Sequence, residues 1–149
     1  MHPAVAEALY THPDCPCLLL VHPDIGMLQK IANNLALEQG WQRLSVGREL
    51  SARLLSEPLP LHCRIARSWL GKAVVPTASG RLVVTDIDLL FQPSWKLDPL
   101  ELFRSVSRTS RLVVAWPGTY QANTLAYAVP EHSDYRTWSD PRVELVCLT

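Results

Sequence analysis

The sequence predicts an α/β fold, and two observations carry that expectation. Three short runs, 17–21 (Cys-Leu-Leu-Leu-Val), the Leu-Val-Val at 82–84 within the stretch 81–91, and 112–116 (Leu-Val-Val-Ala-Trp), are apolar throughout and bounded by turn or polar residues. Such runs read as strands buried on both faces, as in a parallel sheet. Spans with helical spacing separate them, which is what parallel crossovers require. The run 81–91 is read as the middle strand, with the other two as its neighbours. It ends on two carboxylates, Asp86 and Asp88, where the C-terminal edge of such a strand opens onto the usual ligand crevice.

Val5, Leu9 and Tyr10 give a short apolar helical pattern before a Pro-rich break at 12–16. After the first strand, 27–39 reads as a helix with Leu28, Ile31 and Leu35 on one face, and Gly40 as its C-terminal stop. A short strand is expected over 42–46 and a helix over 48–55. Pro58 and Pro60 interrupt the chain, and a third helix is expected over 61–70, with Leu61, Ile65 and Trp69 inward, Arg64 and Arg67 outward, and Gly71 closing it. Residues 76–80 read as a loop. Asp98-Pro99-Leu100-Glu101 is a strong helix start, with Asp98 as N-cap, Pro99 in the first position and Glu101 reaching back. That helix should reach about residue 107, with Arg104 and Arg108 near its negative end. The strand over 112–116 should stop at Pro117-Gly118, and 124–129 should be the last strand. The tail, with Tyr135, Trp138 and 143–148, should pack back on the domain or meet a partner.

One domain spanning 1–149 is expected, since 149 residues suffice for one continuous core. No apolar run approaches the roughly 18 residues of a membrane span, and no signal-like N-terminal pattern is seen, so the expected location is the cytoplasm without membrane contact. The 14 basic and 14 acidic side chains cancel, whereas a domain that binds nucleic acid by itself usually carries a basic surplus or stripe. Arg104, Arg108 and Arg111 form one modest cluster, and Arg64, Arg67 and Lys72 another; both read as solvated helix ends. Cys15-Pro16-Cys17 lacks the second cysteine pair of a structural zinc site, and Cys17 reads as a small apolar strand residue. No metal site is expected.

Chemistry is expected at two places. A phosphate-binding loop reads G-x-x-x-x-G-K-[ST] immediately after a strand. Here the corresponding residues are His22-Pro23-Asp24-Ile25-Gly26-Met27-Leu28-Gln29. The position and Gly26 survive, but Leu28 stands for the lysine, Gln29 for the hydroxyl, and Pro23 removes a donor. Asp24 is itself favourable at a helix N-terminus and would repel a phosphate there. The loop therefore reads as a degenerate cofactor site, Asp24 and Gly26, or as an ordinary strand-to-helix turn. The second place is the acid pair. Asp86 and Asp88 fit a magnesium-holding acid with a water-activating neighbour, a metal pair for phosphodiester hydrolysis, or two residues that end a strand and cap the next turn. Trp116, Tyr120, Tyr127, Tyr135 and Trp138 fit a stacking surface or the edge of the core.

Several segments, 44–55, 86–91, 96–100, 114–118 and 125–135, resemble the BrxF family of small P-loop-type proteins from type 3 bacteriophage-exclusion (BREX) systems. The resemblance implies a three-layer, P-loop NTPase-like sandwich with an AAA+-like core. It carries Asp86 onto the strand-end acid of a nucleotide site, with Asp88 the weaker match, and nothing onto 22–29. The expected function is an accessory subunit of a phage-defence complex. Its expected partners are larger ATPase, methyltransferase and phosphatase-like BREX proteins or a second copy of the chain, with DNA reached only indirectly. Arg108 and Arg111 are the candidates for a contribution to a neighbour's site. The alternatives are an active NTPase using ATP and magnesium, and a small DNA-binding module.

Overall fold

A computed structural model of the protein describes residues 1–74 and 80–148. Its strands are β1 (Cys17–His22), β2 (Arg43–Ser45), β3 (Leu82–Thr85), β4 (Leu112–Gln121), β5 (Thr124–Tyr127), β6 (Arg136–Ser139) and β7 (Glu144–Cys147). Its α-helices are α1 (Pro3–Thr11), α2 (Ile25–Gln39), α3 (Val46–Leu54), α4 (His62–Ala73) and α5 (Pro99–Val106). The strand order is β2-β3-β4-β1-β7, parallel throughout, and β5 and β6 extend the far end of β4 as an antiparallel hairpin.

Register divides the strand side chains into two layers, because successive residues point to opposite faces. Leu19 lies opposite Val114, and Val114 opposite Val84. These three, with Val21 and Trp116, pack against Leu50 of α3, Leu70 of α4 and Phe103 of α5. Leu18, Leu20, Val83, Val113 and Val146 face the other way, onto Val5 of α1 and Leu28, Ala32 and Leu35 of α2. The result is helices on both faces of a mostly parallel sheet, as the apolar runs predict.

Local signals behave as their chemistry requires. Gly40 ends α2 in the left-handed region at φ 69°, which costs glycine nothing. The Asp98 side chain accepts from the Glu101 amide, and Pro99 opens α5. Arg81 is nearly fully buried, and its guanidinium donates to the carbonyls of His12, Pro13 and Cys15, the last at 2.6 Å. It thereby ties the segment before β1 to the start of β3.

Other expectations are corrected. The run 81–91 supplies an interior strand but not the central one: β4 stands between β3 and β1, and β2 is the other neighbour of β3. Gly71 does not close α4, which continues to Ala73 with the Val74 amide still bonded to Leu70. The buried face of α4 is Ala66 and Leu70, while Ile65 and Trp69 are only half-buried and Leu61 is exposed. Pro117 and Gly118 do not stop β4. The Pro117 carbonyl accepts from Ala128, and Gly118 pairs with Tyr127, because β4 changes partner there from β1 to β5. The strand at 124 is not the last, since β6 and β7 come after it and β7 forms the sheet edge beside β1. Helices α2 and α3 each start two residues earlier than expected, behind the caps Asp24 and Ser45. Of the loop expected over 76–80, only Gly80 lies within the described residues.

Candidate functional site

Strand β1 passes into α2 through just two residues, Pro23 and Asp24. The Asp24 amide donates to His22 Nδ1 at 2.9 Å, and Asp24 Oδ1 accepts from the Met27 amide at 3.1 Å. The carboxylate thus caps the helix and lies at its positive end, the location a bound phosphate would seek. A turn this short has no slack to wrap a triphosphate. Gly26 keeps ordinary backbone angles, and a Cβ there would meet Asp24 Oδ1 at 3.4 Å, an ordinary contact. The glycine is therefore not serving a close backbone approach.

Asp86 comes directly after β3 on the same C-terminal sheet edge, with β4 between it and the β1 turn. Its backbone is left-handed, φ 59°, a conformation aspartate tolerates better than most residues. The Asp86 carbonyl accepts from the Gly47 amide at 2.8 Å, and Oδ2 accepts from Ser45 Oγ at 3.2 Å. Ser45 is also the N-cap of α3, its Oγ accepting from the Arg48 amide. Gly47 makes this approach possible, since a Cβ there would lie 2.5 Å from Asp86 Oδ2. Asp86 thus places its charge at the N-terminus of α3, where a negative charge is favoured. It borders a groove of about 780 Å³ with Gln29 and Asn33 of α2 and Arg43, Arg48 and Glu49. Asn33 Oδ1 is shielded from solvent and has no hydrogen-bond partner among the described residues.

Asp88 belongs to a different environment. It opens a single 3₁₀ turn, Asp88–Phe91, and Oδ1 accepts from the Tyr127 hydroxyl at 2.6 Å. Burial and the neighbouring carboxylate push the Tyr127 phenol well above its usual range, so the hydroxyl keeps its proton and remains a donor. Phe91 stacks on Tyr127 at 3.7 Å between centroids, and Trp116 and Trp138 meet Phe91 edge-on. Trp116, Tyr127 and Trp138 therefore form a core edge. Asp86 and Asp88 are each engaged by a separate element, Ser45 at the start of α3 and Tyr127 of β5. Among the described residues no group of three or more His, Cys, Asp or Glu side chains is placed to hold a metal ion.

Arg108 and Arg111 lie just before β4, at the N-terminal sheet edge and thus at the end opposite Asp24 and Asp86. Arg111 is tied to its own chain: Nη1 donates to the Pro13 carbonyl at 3.2 Å and lies 3.9 Å from Asp14. Arg108 borders a groove of about 740 Å³ with Arg104, Arg142 and Tyr120. Sequence reasoning missed Ser45, Gly47 and Arg48 as companions of Asp86. The signal was present in part, since Ser45 precedes the helical spacing Val46, Leu50, Leu54 and makes a natural N-cap. Tyr127 as the partner of Asp88 depends on the register of β5, which no local pattern encodes.

No protein-family model, no curated protein and no solved structure matches the chain. Among the described residues no helix is long and apolar enough to cross a membrane.

Proposed function

We propose that this chain is an accessory, P-loop-like subunit of a BREX-type phage-defence complex, acting through contacts with larger ATPase or DNA-modifying partners and not by hydrolysing ATP itself. The system is suggested by the resemblance of 44–55, 86–91 and 125–135 to the BrxF family. Support for a P-loop-like core comes from the strand-turn-helix at β1–α2 and from an acid, Asp86, ending another parallel strand on the same edge. The carrying observation is the Asp24 cap: its carboxylate accepts from the Met27 amide in the first turn of α2, in a two-residue turn without lysine or hydroxyl. Of the two arginines, Arg108 is the better candidate for a contribution to a neighbour, because Arg111 is already bonded to Pro13.

The groove beside Asp86, bordered also by Arg43 and Arg48, favours the alternative, an NTPase that binds ATP and magnesium. Thermal unfolding with and without ATP and magnesium separates the readings. A ligand at about a hundred times its Kd adds about 2.7 kcal/mol, or roughly 5–11 °C for a domain of this size. The accessory reading expects a shift below about 1 °C at millimolar ATP. A shift of the larger size, together with ATP turnover that Asp86→Asn abolishes, would overturn it.

A further inference from the structure

The groove along α3 and α4 is lined by charged side chains of one sign. Arg53 in the last turn of α3, with Arg64, Ser68 and Lys72 of α4, borders a groove of about 580 Å³ floored by Ile65, Trp69 and Ala73. Spacing of four residues puts Arg64, Ser68 and Lys72 on one side of the helix, with about 12 Å between the first and last along its axis. No carboxylate lines the groove. None of Arg53, Arg64, Arg67 or Lys72 makes an ion pair among the described residues. The groove beside Arg108 differs, because there Arg104 pairs with Glu101 at 3.7 Å and Arg142 with Asp140 at 3.1 Å. The segment 46–74 carries five cations against two carboxylates, within a chain that has 14 of each overall.

The composition of this groove indicates its ligand. Arginine forks match phosphate oxygens two at a time. Trp69 is half-buried, packs against the core and borders the groove with the rest, and an indole is a surface on which a base can stack. We propose that this groove binds single-stranded nucleic acid, with phosphates on Arg53, Arg64 and Lys72 and one base against Trp69. This goes beyond the protein-contact role and does not depend on it.

The test is fluorescence anisotropy of a labelled oligothymidylate of about 15 nucleotides, titrated with the full chain at several salt concentrations. Binding in the micromolar range at low salt is expected. The slope of log K against log salt should be about −2, since three phosphates contribute roughly −0.7 each. Arg64→Gln combined with Lys72→Gln should cut that slope to about a third. Trp69→Leu should weaken binding roughly five- to a hundredfold. Should Trp69→Leu fail to fold by circular dichroism, the surface double variant decides alone. Three results overturn the proposal: no binding at low salt, a double variant with an unchanged slope, or equal binding of a polyglutamate peptide, which would mark a site for acidic protein segments.

Discussion

Replacing Asp86 distinguishes a carboxylate that holds the fold from one that serves a reaction. Three contributions are lost in Asp86→Ala. Alanine at φ 59° forfeits the tolerance of aspartate for the left-handed region, where an ordinary residue is penalised by about 1–2 kcal/mol. The hydrogen bond from Ser45 at 3.2 Å is lost, worth about 0.5 kcal/mol because it is exposed. The charge at the N-terminus of α3 is lost as well, worth about 0.3–1 kcal/mol. Together they predict a destabilisation of about 2–3.5 kcal/mol, or roughly 4–14 °C. Asp86→Asn keeps the backbone tolerance and an acceptor for Ser45, so it should cost only about 0.3–1 kcal/mol. Asp86→Gly relieves the backbone but loses both side-chain contributions, and should fall between the two. Urea unfolding measures the series, with the midpoint moving and the m-value constant. An acid held in place for a bound metal gives the opposite pattern, because relieving a functional carboxylate commonly stabilises a fold. An Asp86→Ala chain as stable as the parent, or more so, would refute this reasoning.

Two further outcomes test the hairpin and the buried groups. In Gly118→Ala the new methyl would overlap the Ala126 carbonyl, a backbone group that is unable to rotate aside. A loss of about 2–3 kcal/mol is expected by thermal or urea unfolding, and a variant as stable as the parent would contradict the β4–β5 register. Burial pushes the Cys17 thiol up from 9.0 to about 12, and burial with Asp88 raises Tyr127 above its usual 10.0. In the unfolded chain both groups ionise first, so above pH 9 the folded state binds more protons and stability falls as pH rises. Only well below pH 9, where the thiol is protonated in both states, does neither group contribute a slope. Urea midpoints from about pH 8 to pH 11 should decline, and Cys17→Ala should flatten the early part of the decline; a flat profile in the parent would count against both burials.

What the sequence disclosed was local. The Gly40 stop, the Asp98-Pro99 start and the Asp24 cap all rest on side chains bonding to amides within three residues, or on a single φ angle. The three apolar runs likewise announce strands buried on both faces. Strand order, by contrast, is set by which run pairs with which, and Leu19 meets Val114 across 95 positions of chain. Proline and glycine at 117 and 118 are turn residues by local chemistry. Here they sit where β4 leaves β1 and needs a close approach from Ala126, so tertiary pairing overrides their usual meaning. The same limit applies to the site: Asp86 at a strand end was legible, whereas the engagement of Asp88 by Tyr127 depends on a hairpin register 39 residues away.

The β4–β5–β6 extension bears on function through that engagement. By stacking Tyr127 on Phe91 and directing its hydroxyl to Asp88, the hairpin turns the segment after β3 into a packing element. A second carboxylate is thereby withdrawn from the sheet edge. Asp24 is withdrawn as well, by the amide it caps. Magnesium at a nucleotide site is held by one or two carboxylates together with the phosphates themselves, so a lone Asp86 suffices only if the phosphates are bound independently. The turn that would bind them is two residues long and already carries a negative charge. The carboxylates Asp24, Asp86 and Asp88 each accept an internal hydrogen bond, and those bonds fix the three side chains along this edge. A surface hardened in this way suits a subunit that presents fixed contacts to its neighbours, so the accessory reading rests on the geometry of the caps and not only on a missing lysine.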